Sequence, residues 1–228
     1  FVKEGEKISY ATSLGKKQIP TNELKFIQSK ISDFQMVSVR EKSSSDILSK
    51  KMGKNVFWVC DPVFLLRKGY YDKMTKRPFE DKYVVIYLSV ESDLLNSIVS
   101  DIKERKGYKV VLMGGNVTRC ECDYHVKDLG PIDFLSLIKY AEIVISSSFH
   151  ATAFSHIFHK KFGAILPEGN GERIESLVKL SGLTDHIINC EKDIQNIYSE
   201  IEYENVDCRM NSFVEKSKKI LINAIENR

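Results

Sequence analysis

Four short apolar runs constrain this chain more than anything else in it: YVVIYLSV (83–90), KVVLMGG (109–115), EIVISSS (142–148) and KFGAIL (161–166). None alternates polar with apolar residues as a strand with one wet face does, and each is followed by a stretch of turn or helical character. Strands that are apolar on both faces and separated by helices build a parallel sheet covered on both sides. The expected fold class is α/β, with a doubly wound domain over residues 83–202.

Residues 1–66 repeat the alternation on a smaller scale and read as a partial N-terminal Rossmann-like domain. KISYATS and MVSVRE are expected strands, TNELKFIQSKISDF a helix capped by Thr21, and SSSDILSKKMG a short helix closing at Gly53. VFWVCDPVFLL reads as a buried strand interrupted at Asp61-Pro62. The polar, aperiodic RKGYYDKMTKRPFEDK (67–82) is the expected linker. Further on, helices are expected over 91–105, over GPIDFLSLIKYA with Pro131 at its start, over HATAFSHIFH, and over ERIESLVKLSG closing near Gly182. Phe134, Leu135, Leu137 and Ile138 form the apolar face of the second of these, and a variable loop precedes it. Residues 203–228 read as one amphipathic helix, with Phe213, Ile220, Leu221 and Ile225 as contacts. The chain opens on Phe1, and its first run already reads as a strand that needs neighbours, so a longer N-terminal portion is expected.

Composition narrows the function. The 34 basic and 31 acidic residues of the 228 leave a net charge of +3 and are interspersed, a balance that does not point to nucleic acid and leaves room for a local basic pocket. No run approaches the roughly 18 apolar residues of a membrane span, and no signal pattern opens the chain, so a cytoplasmic protein is expected. Cys60, Cys120, Cys122, Cys190 and Cys208 are odd in number and irregularly spaced, which suits reduced thiols. CECDYH gathers Cys120, Cys122 and His125, but zinc needs four convergent ligands and no second cluster of matching spacing completes them; no metal is expected.

In open parallel sheets the ligand crevice lies beyond the carboxyl ends of the strands. Arg40 ends MVSVR, Asp61 ends VFWVC, Gly114-Gly115 end KVVLM, and His150 follows EIVISSS at a helix start. Ser146, Ser147 and Ser148 offer hydroxyls and backbone donors there; an anion site and a plain helix cap at Ser148 both explain them. Arg40 and Arg173 carry planar donor forks that match phosphate or carboxylate, and their structural alternative is an ion pair with Glu41 or Glu172. His150, at the junction of strand and helix, is the candidate acid or base; His156 and His159 read as structural or surface residues, and His125 and His186 lie in loops.

KISYATSLG, MVSVREKSS, VCDPVFLL, GPIDFLSLIKYAEIVISSSFHATAFSHIF and ERIESLVKLSGL, in this order, resemble the polysaccharide pyruvyl transferase family over nearly the whole chain. The resemblance implies two Rossmann-like domains facing across a cleft, as in glycosyltransferases of the B type, with a C-terminal helix returning to the first domain. It implies transfer of the enolpyruvyl unit of phosphoenolpyruvate to two hydroxyls of a sugar, leaving a pyruvate ketal and releasing phosphate, with no cofactor beyond that donor. The acceptor implied is a sugar or lipid-linked saccharide of a bacterial cell-wall, capsular or exopolysaccharide precursor, met at the inner face of the cytoplasmic membrane by peripheral association.

By motif, the family's arginine falls on Arg40, its histidine on His150 and its later basic residue on Arg173, a position that is lysine in some branches. The family block TNSFHGTAFS differs here at Ser146, Ser147 and Ala151, and the lost glycine changes how closely backbone approaches ligand. The roles expected are catalysis for His150, as acid, base or phosphate holder, and donor binding for Arg40, Arg173, Ser147 and Ser148. Asp61 either orients a sugar hydroxyl or serves the turn before Pro62. Two rivals share the architecture: a nucleotide-sugar glycosyltransferase and a non-catalytic glycan-binding module.

Overall fold

The computed structural model describes residues 5–15, 18–89, 92–115 and 120–226. Val90 of the expected strand 83–90, Glu91 of the expected helix, part of the expected loop (116–119) and the last two residues lie outside the described residues. The first unit runs β1 (Ile8–Thr12), α1 (Thr21–Ile31), β2 (Met36–Val39), α2 (Lys42–Met52) and β3 (Phe57–Trp58). Its three strands are parallel, in the order β1-β2-β3. A 3-10 turn (Pro62–Phe64) and α3 (Lys68–Met74) lead to the larger unit. That unit holds β4 (Tyr83–Tyr87), α4 (Leu94–Lys106), β5 (Lys109–Met113), β6 (Tyr124–Val126), α5 (Pro131–Tyr140), β7 (Ile143–Ser146), α6 (Phe149–Ile157), β8 (Lys161–Ala164) and α7 (Glu172–Ser181). Its parallel strands lie in the order β6-β5-β4-β7-β8. Two further 3-10 segments (Thr184–His186 and Glu191–Tyr198) precede α8 (Tyr203–Glu226).

The unbroken apolar runs are explained by two cores. Val85, Val111 and Val144 point to one side of the sheet, into a cluster with Leu137, Ile138, Phe154 and Val178 of α5, α6 and α7. Val84, Ile86, Val110, Leu112, Ile143 and Ile145 point to the other, against Leu95, Ile98 and Ile102 of α4 and Ile194 and Ile197. Successive strand residues face opposite sides, so covering both sides demands an apolar residue at every position. Gly163 in β8 permits the second layer: a Cβ there would come within 2.9 Å of Ile197 Cγ2 and 3.1 Å of Ile145 Cδ1. Gly53 and Gly182 close α2 and α7 in the left-handed conformation, as expected from the sequence.

Several local expectations change. Pro20, not Thr21, occupies the N-cap of α1, with no side-chain cap bond. The strand expected through VFWVCDPVFLL stops after Trp58, because the Cys60 N–H donates to Ser217 Oγ of α8 (2.9 Å) and Asp61 caps the 3-10 turn. The segment expected as linker contains α3, whose Tyr71 is buried edge-on against Phe154 at 5.0 Å and donates its hydroxyl to the Val63 carbonyl (2.8 Å). The loop after β5 holds β6, an edge strand too short and polar to show in the pattern. In that loop Cys120 and Cys122 pack half-buried against the second core, and His125 Nε2 sits 2.6 Å from the Gly114 carbonyl. Among the described residues no group of three or more His, Cys, Asp or Glu is arranged to hold a metal ion, and no helix is long and apolar enough to cross a membrane.

Helix α8 joins the units. Val206 and Met210 sink into the larger core, while Phe213 packs on Trp58 (ring centroids 4.5 Å apart) and Ser217 holds Cys60. The buried stripe is Val206, Met210, Val214 and Ser217; Ile225, expected as a contact, is 45% exposed. A 24-residue helix runs about 36 Å, beyond what a three-stranded sheet of short strands can cover.

Two histidines outside the candidate site are core residues: His156, in line with its structural reading, and His186, expected in a loop. His186 is buried, stacked on Phe162 and bonded to its carbonyl (3.0 Å). His156 donates from Nδ1 to the Thr152 carbonyl (2.8 Å) and meets Ser181 Oγ at 2.9 Å through Nε2; burial pushes its pKa down to about 4. An unfolded histidine titrates near 6.5, so below that pH the unfolded chain takes up a proton that folded His156 refuses. Its contribution is whole above about pH 6.5 and is lost on acidification toward pH 4, a decline on the order of 3 kcal/mol. Urea midpoints between pH 7 and 4.5 should fall in the wild type and fall less steeply in His156→Gln; identical slopes would contradict this.

Candidate active site

The strand order of the larger sheet reverses between β4 and β7, with β5 and β6 to one side and β8 to the other, and ligand crevices open at such points. The serines that end β7 pin this place together. Ser146 donates its hydroxyl to the Tyr87 carbonyl (2.8 Å) and accepts the Ser148 N–H (2.9 Å). Ser147 Oγ accepts the Ser89 N–H (2.8 Å) and lies 3.0 Å from Ser89 Oγ. Ser148 is the N-cap of α6, its Oγ 3.5 Å from the Ala151 N–H, so the capping reading holds in the structure. Ser147 and Ser148 also line a cavity of about 850 Å³ with Tyr87, Ser89, His150 and Arg173.

Across from them stand the ends of the smaller sheet. Asp61 is 4% exposed; its Oδ1 accepts the Val63 N–H (3.1 Å), which caps the 3-10 turn that opens at Pro62, and its Oδ2 forms an ion pair with Arg40 Nη1. The partner of Arg40 is therefore Asp61 rather than the neighbouring Glu41, which is wholly buried and accepts the Ser13 hydroxyl. The Arg40 guanidinium also lies over the Phe149 ring, 5.0 Å from its centroid. His150 Nε2, reaching from α6, is 3.9 Å from Asp61 Oδ1. Arg40, Asp61 and His150 thus form a bridge from one sheet to the other.

Arg173, in the first turn of α7, lines the large cavity and also a small one that it shares with Arg40, Asp61 and Phe149. The Nε–H groups of Arg40 and Arg173 are both buried without an acceptor, and among the described residues no carboxylate pairs with Arg173. An unpaired buried donor costs about 1–3 kcal/mol, more when charged, so both arginines are set to meet an acceptor. His150 titrates below the ordinary histidine range, first because burial disfavours its charged form; Asp61 opposes this, and Arg40 and Arg173 add to it. Two arginines and a neutral imidazole at a helix start suit a ligand with two anionic groups and a reacting atom between them.

The structure brings together Arg40, Asp61, Ser147, Ser148, His150 and Arg173; Gly114 and Gly115 are not part of the cavity wall. Ser89 and Phe149 escaped the sequence reading. Ser89 lies just beyond β4 as Ser147 lies just beyond β7, so the same strand-end rule finds it, whereas nothing local reveals that Phe149 supports Arg40.

A family model described as polysaccharide pyruvyl transferase matches residues 1–168. No curated protein matches the chain. Among solved structures, a UDP-GlcNAc 2-epimerase from Neisseria meningitidis bound to UDP-GlcNAc is similar at 13% identity and a TM-score of 0.58, covering 98% of this chain and 69% of that one. A second UDP-N-acetylglucosamine 2-epimerase gives 14% and 0.61, covering 96% and 66%. The enzyme from Methanocaldococcus jannaschii, in complex with UDP-GlcNAc and UDP, gives 12% and 0.50, covering 97% and 69%. The chain spans about two thirds of the length of these structures. The likeness is one of fold: two Rossmann-like domains facing across a cleft, the glycosyltransferase-B-like architecture.

Proposed function

The chain belongs to the polysaccharide pyruvyl transferase family, and on that premise we propose that it moves the enolpyruvyl group of phosphoenolpyruvate onto two hydroxyls of a saccharide precursor, forming a pyruvate ketal and releasing phosphate. The observation that supports this best is the pair of buried, unpaired Nε–H groups of Arg40 and Arg173 on either side of the cleft beside His150. Phosphoenolpyruvate carries its phosphate and its carboxylate on one carbon, and two guanidinium forks neutralise both. The N–H groups opening α6 add to the pull on the anion, with Ser147 and Ser148 holding that helix start in place.

His150 delivers a proton to the methylene carbon, which leaves the adjacent carbon electron-poor. One sugar hydroxyl bonds to that carbon and loses its proton to His150. Phosphate departs with the electrons of the C–O bond, and the second hydroxyl closes the ketal as its proton passes to phosphate. Two hydroxyl protons are lost, one carried by the new methyl group and one by phosphate, so a single cycling imidazole balances the exchange. Asp61 acts indirectly, holding Arg40 and facing His150. Charge is neutralised by the chain's own arginines, with phosphoenolpyruvate as donor and no separate cofactor, and the reaction belongs where phosphoenolpyruvate is made, in the cytoplasm.

Burial first, and then the charges of Arg40 and Arg173, hold His150 below the ordinary range. An anionic donor offsets those two guanidinium charges and raises the proton affinity of His150, so donor binding should take up a proton near pH 7. Calorimetry in buffers of different ionisation enthalpy should show this uptake in the wild type and none in His150→Ala. Phosphate release from phosphoenolpyruvate with a lipid-linked saccharide tests the reaction itself. The similar epimerase structures contain UDP-GlcNAc, so the alternative is a nucleotide-sugar transferase; binding of UDP-GlcNAc without phosphoenolpyruvate in the same calorimeter would favour it.

A further inference from the structure

Helix α3 is clamped on one side and bare on the other. Tyr71 is buried against Phe154, while Lys139 pairs with Asp72 (2.8 Å) and donates to Thr75 Oγ1 (2.9 Å). On the outer side Leu66, Tyr70 and Met74 follow at intervals of four and are 47%, 65% and 40% exposed. Residues four apart share one helical face, so Tyr70 and Met74 form an apolar stripe that Leu66 extends. Arg67, Lys68, Lys73, Lys76 and Arg77 are all exposed around it, five cations against Asp72 alone between 66 and 77. Fold stability accounts for the inner residues and gives no reason for the outer ones.

We propose that this face docks reversibly on an anionic phospholipid surface. An apolar stripe with an aromatic residue, rimmed by lysine and arginine, is the pattern of an element that lies in a headgroup layer, with Leu, Tyr and Met reaching the acyl boundary and the cations meeting phosphates. Charge argues against a second copy of the chain as the occupant: even with Asp207 and Glu215 of the adjoining groove, a twofold contact would set a surplus of cations against itself. The face also adjoins the active site. Phe64 and Met210 line both the small cavity of Arg40 and Arg173 and a groove of about 460 Å³ that continues along Leu65, Leu66 and Lys68. A surface-bound protein would hold its cleft close to the headgroup layer; the docking itself does not depend on the acceptor proposed above.

The test is co-sedimentation of the whole chain with vesicles of phosphatidylglycerol and phosphatidylcholine at about 1:3, against phosphatidylcholine alone. Pelleting with the mixed vesicles only, reversed by high salt, is expected. Lys68→Glu with Lys73→Glu should weaken it at least about tenfold, as should Tyr70→Ser with Met74→Ser. Both pairs of changes lie on the surface and should leave the melting temperature, and any phosphate release with a water-soluble acceptor, unchanged. No binding to mixed vesicles, undiminished binding by either double variant, or a dimer that these variants dissolve would each overturn the proposal. Loss of vesicle binding with turnover intact separates its failure from that of the transferase reading.

Discussion

Replacing His150 with alanine is expected to lower phosphoenolpyruvate-dependent phosphate release about a thousandfold while leaving the protein folded. General acid–base catalysis by a positioned side chain contributes typically about 10²–10⁴-fold, and the proposed cycle uses His150 twice, once to protonate carbon and once to take the hydroxyl proton. The imidazole side chain is 49% exposed, and its nearest charged partner, Asp61, is 3.9 Å away, so its removal opens no core cavity. The change should appear in kcat, with the melting temperature within about 2 °C of wild type. Single-turnover assays would check it, and a variant within tenfold of wild type would remove His150 from the mechanism.

The second large effect falls on Asp61. Asp61→Ala is expected to cost about 3 kcal/mol of stability, because it strands the mostly buried Arg40 charge and uncaps the turn at Val63. Activity should collapse as well, since a released Arg40 no longer faces the donor. The two losses can be separated. Pairing Asp61→Leu with Arg40→Met removes both charges and should recover most of the stability, since well-packed apolar residues often replace a buried ion pair without penalty. Activity should not recover with it. Urea denaturation and phosphate release on the single and double variants decide this; recovery of both properties would mean that Arg40 serves only the fold.

Much of the architecture was legible because parallel sheets leave an emphatic trace. Val84, Val85 and Ile86 are all apolar since neither side of β4 meets water, and Gly53 and Gly182 sit where a helix must turn left-handed. Elements that do not bury a full face left no such trace: β6 is a short edge strand, and α3 buries a single tyrosine. The site was legible as a set of positions, for Arg40, Asp61 and His150 all stand within four residues beyond a strand end. Its partnerships were not. Glu41 is next to Arg40 in sequence, yet the ion pair goes to Asp61, 21 residues away, and Ser147 is held by Ser89, 58 residues away.

The order of residues along the chain decides which segments are strands, which sides they bury and which side chains stand at their carboxyl ends, because backbone periodicity and conformational preference are local properties. The folded molecule alone decides that Arg40 meets Asp61, that Asp61 faces His150 of α6 in the other unit, and that two arginine N–H groups are buried without acceptors. Those relations depend on how two sheets and α8 pack over long stretches of intervening chain. A local pattern sets the direction of a side chain relative to its own element; only packing sets what lies opposite.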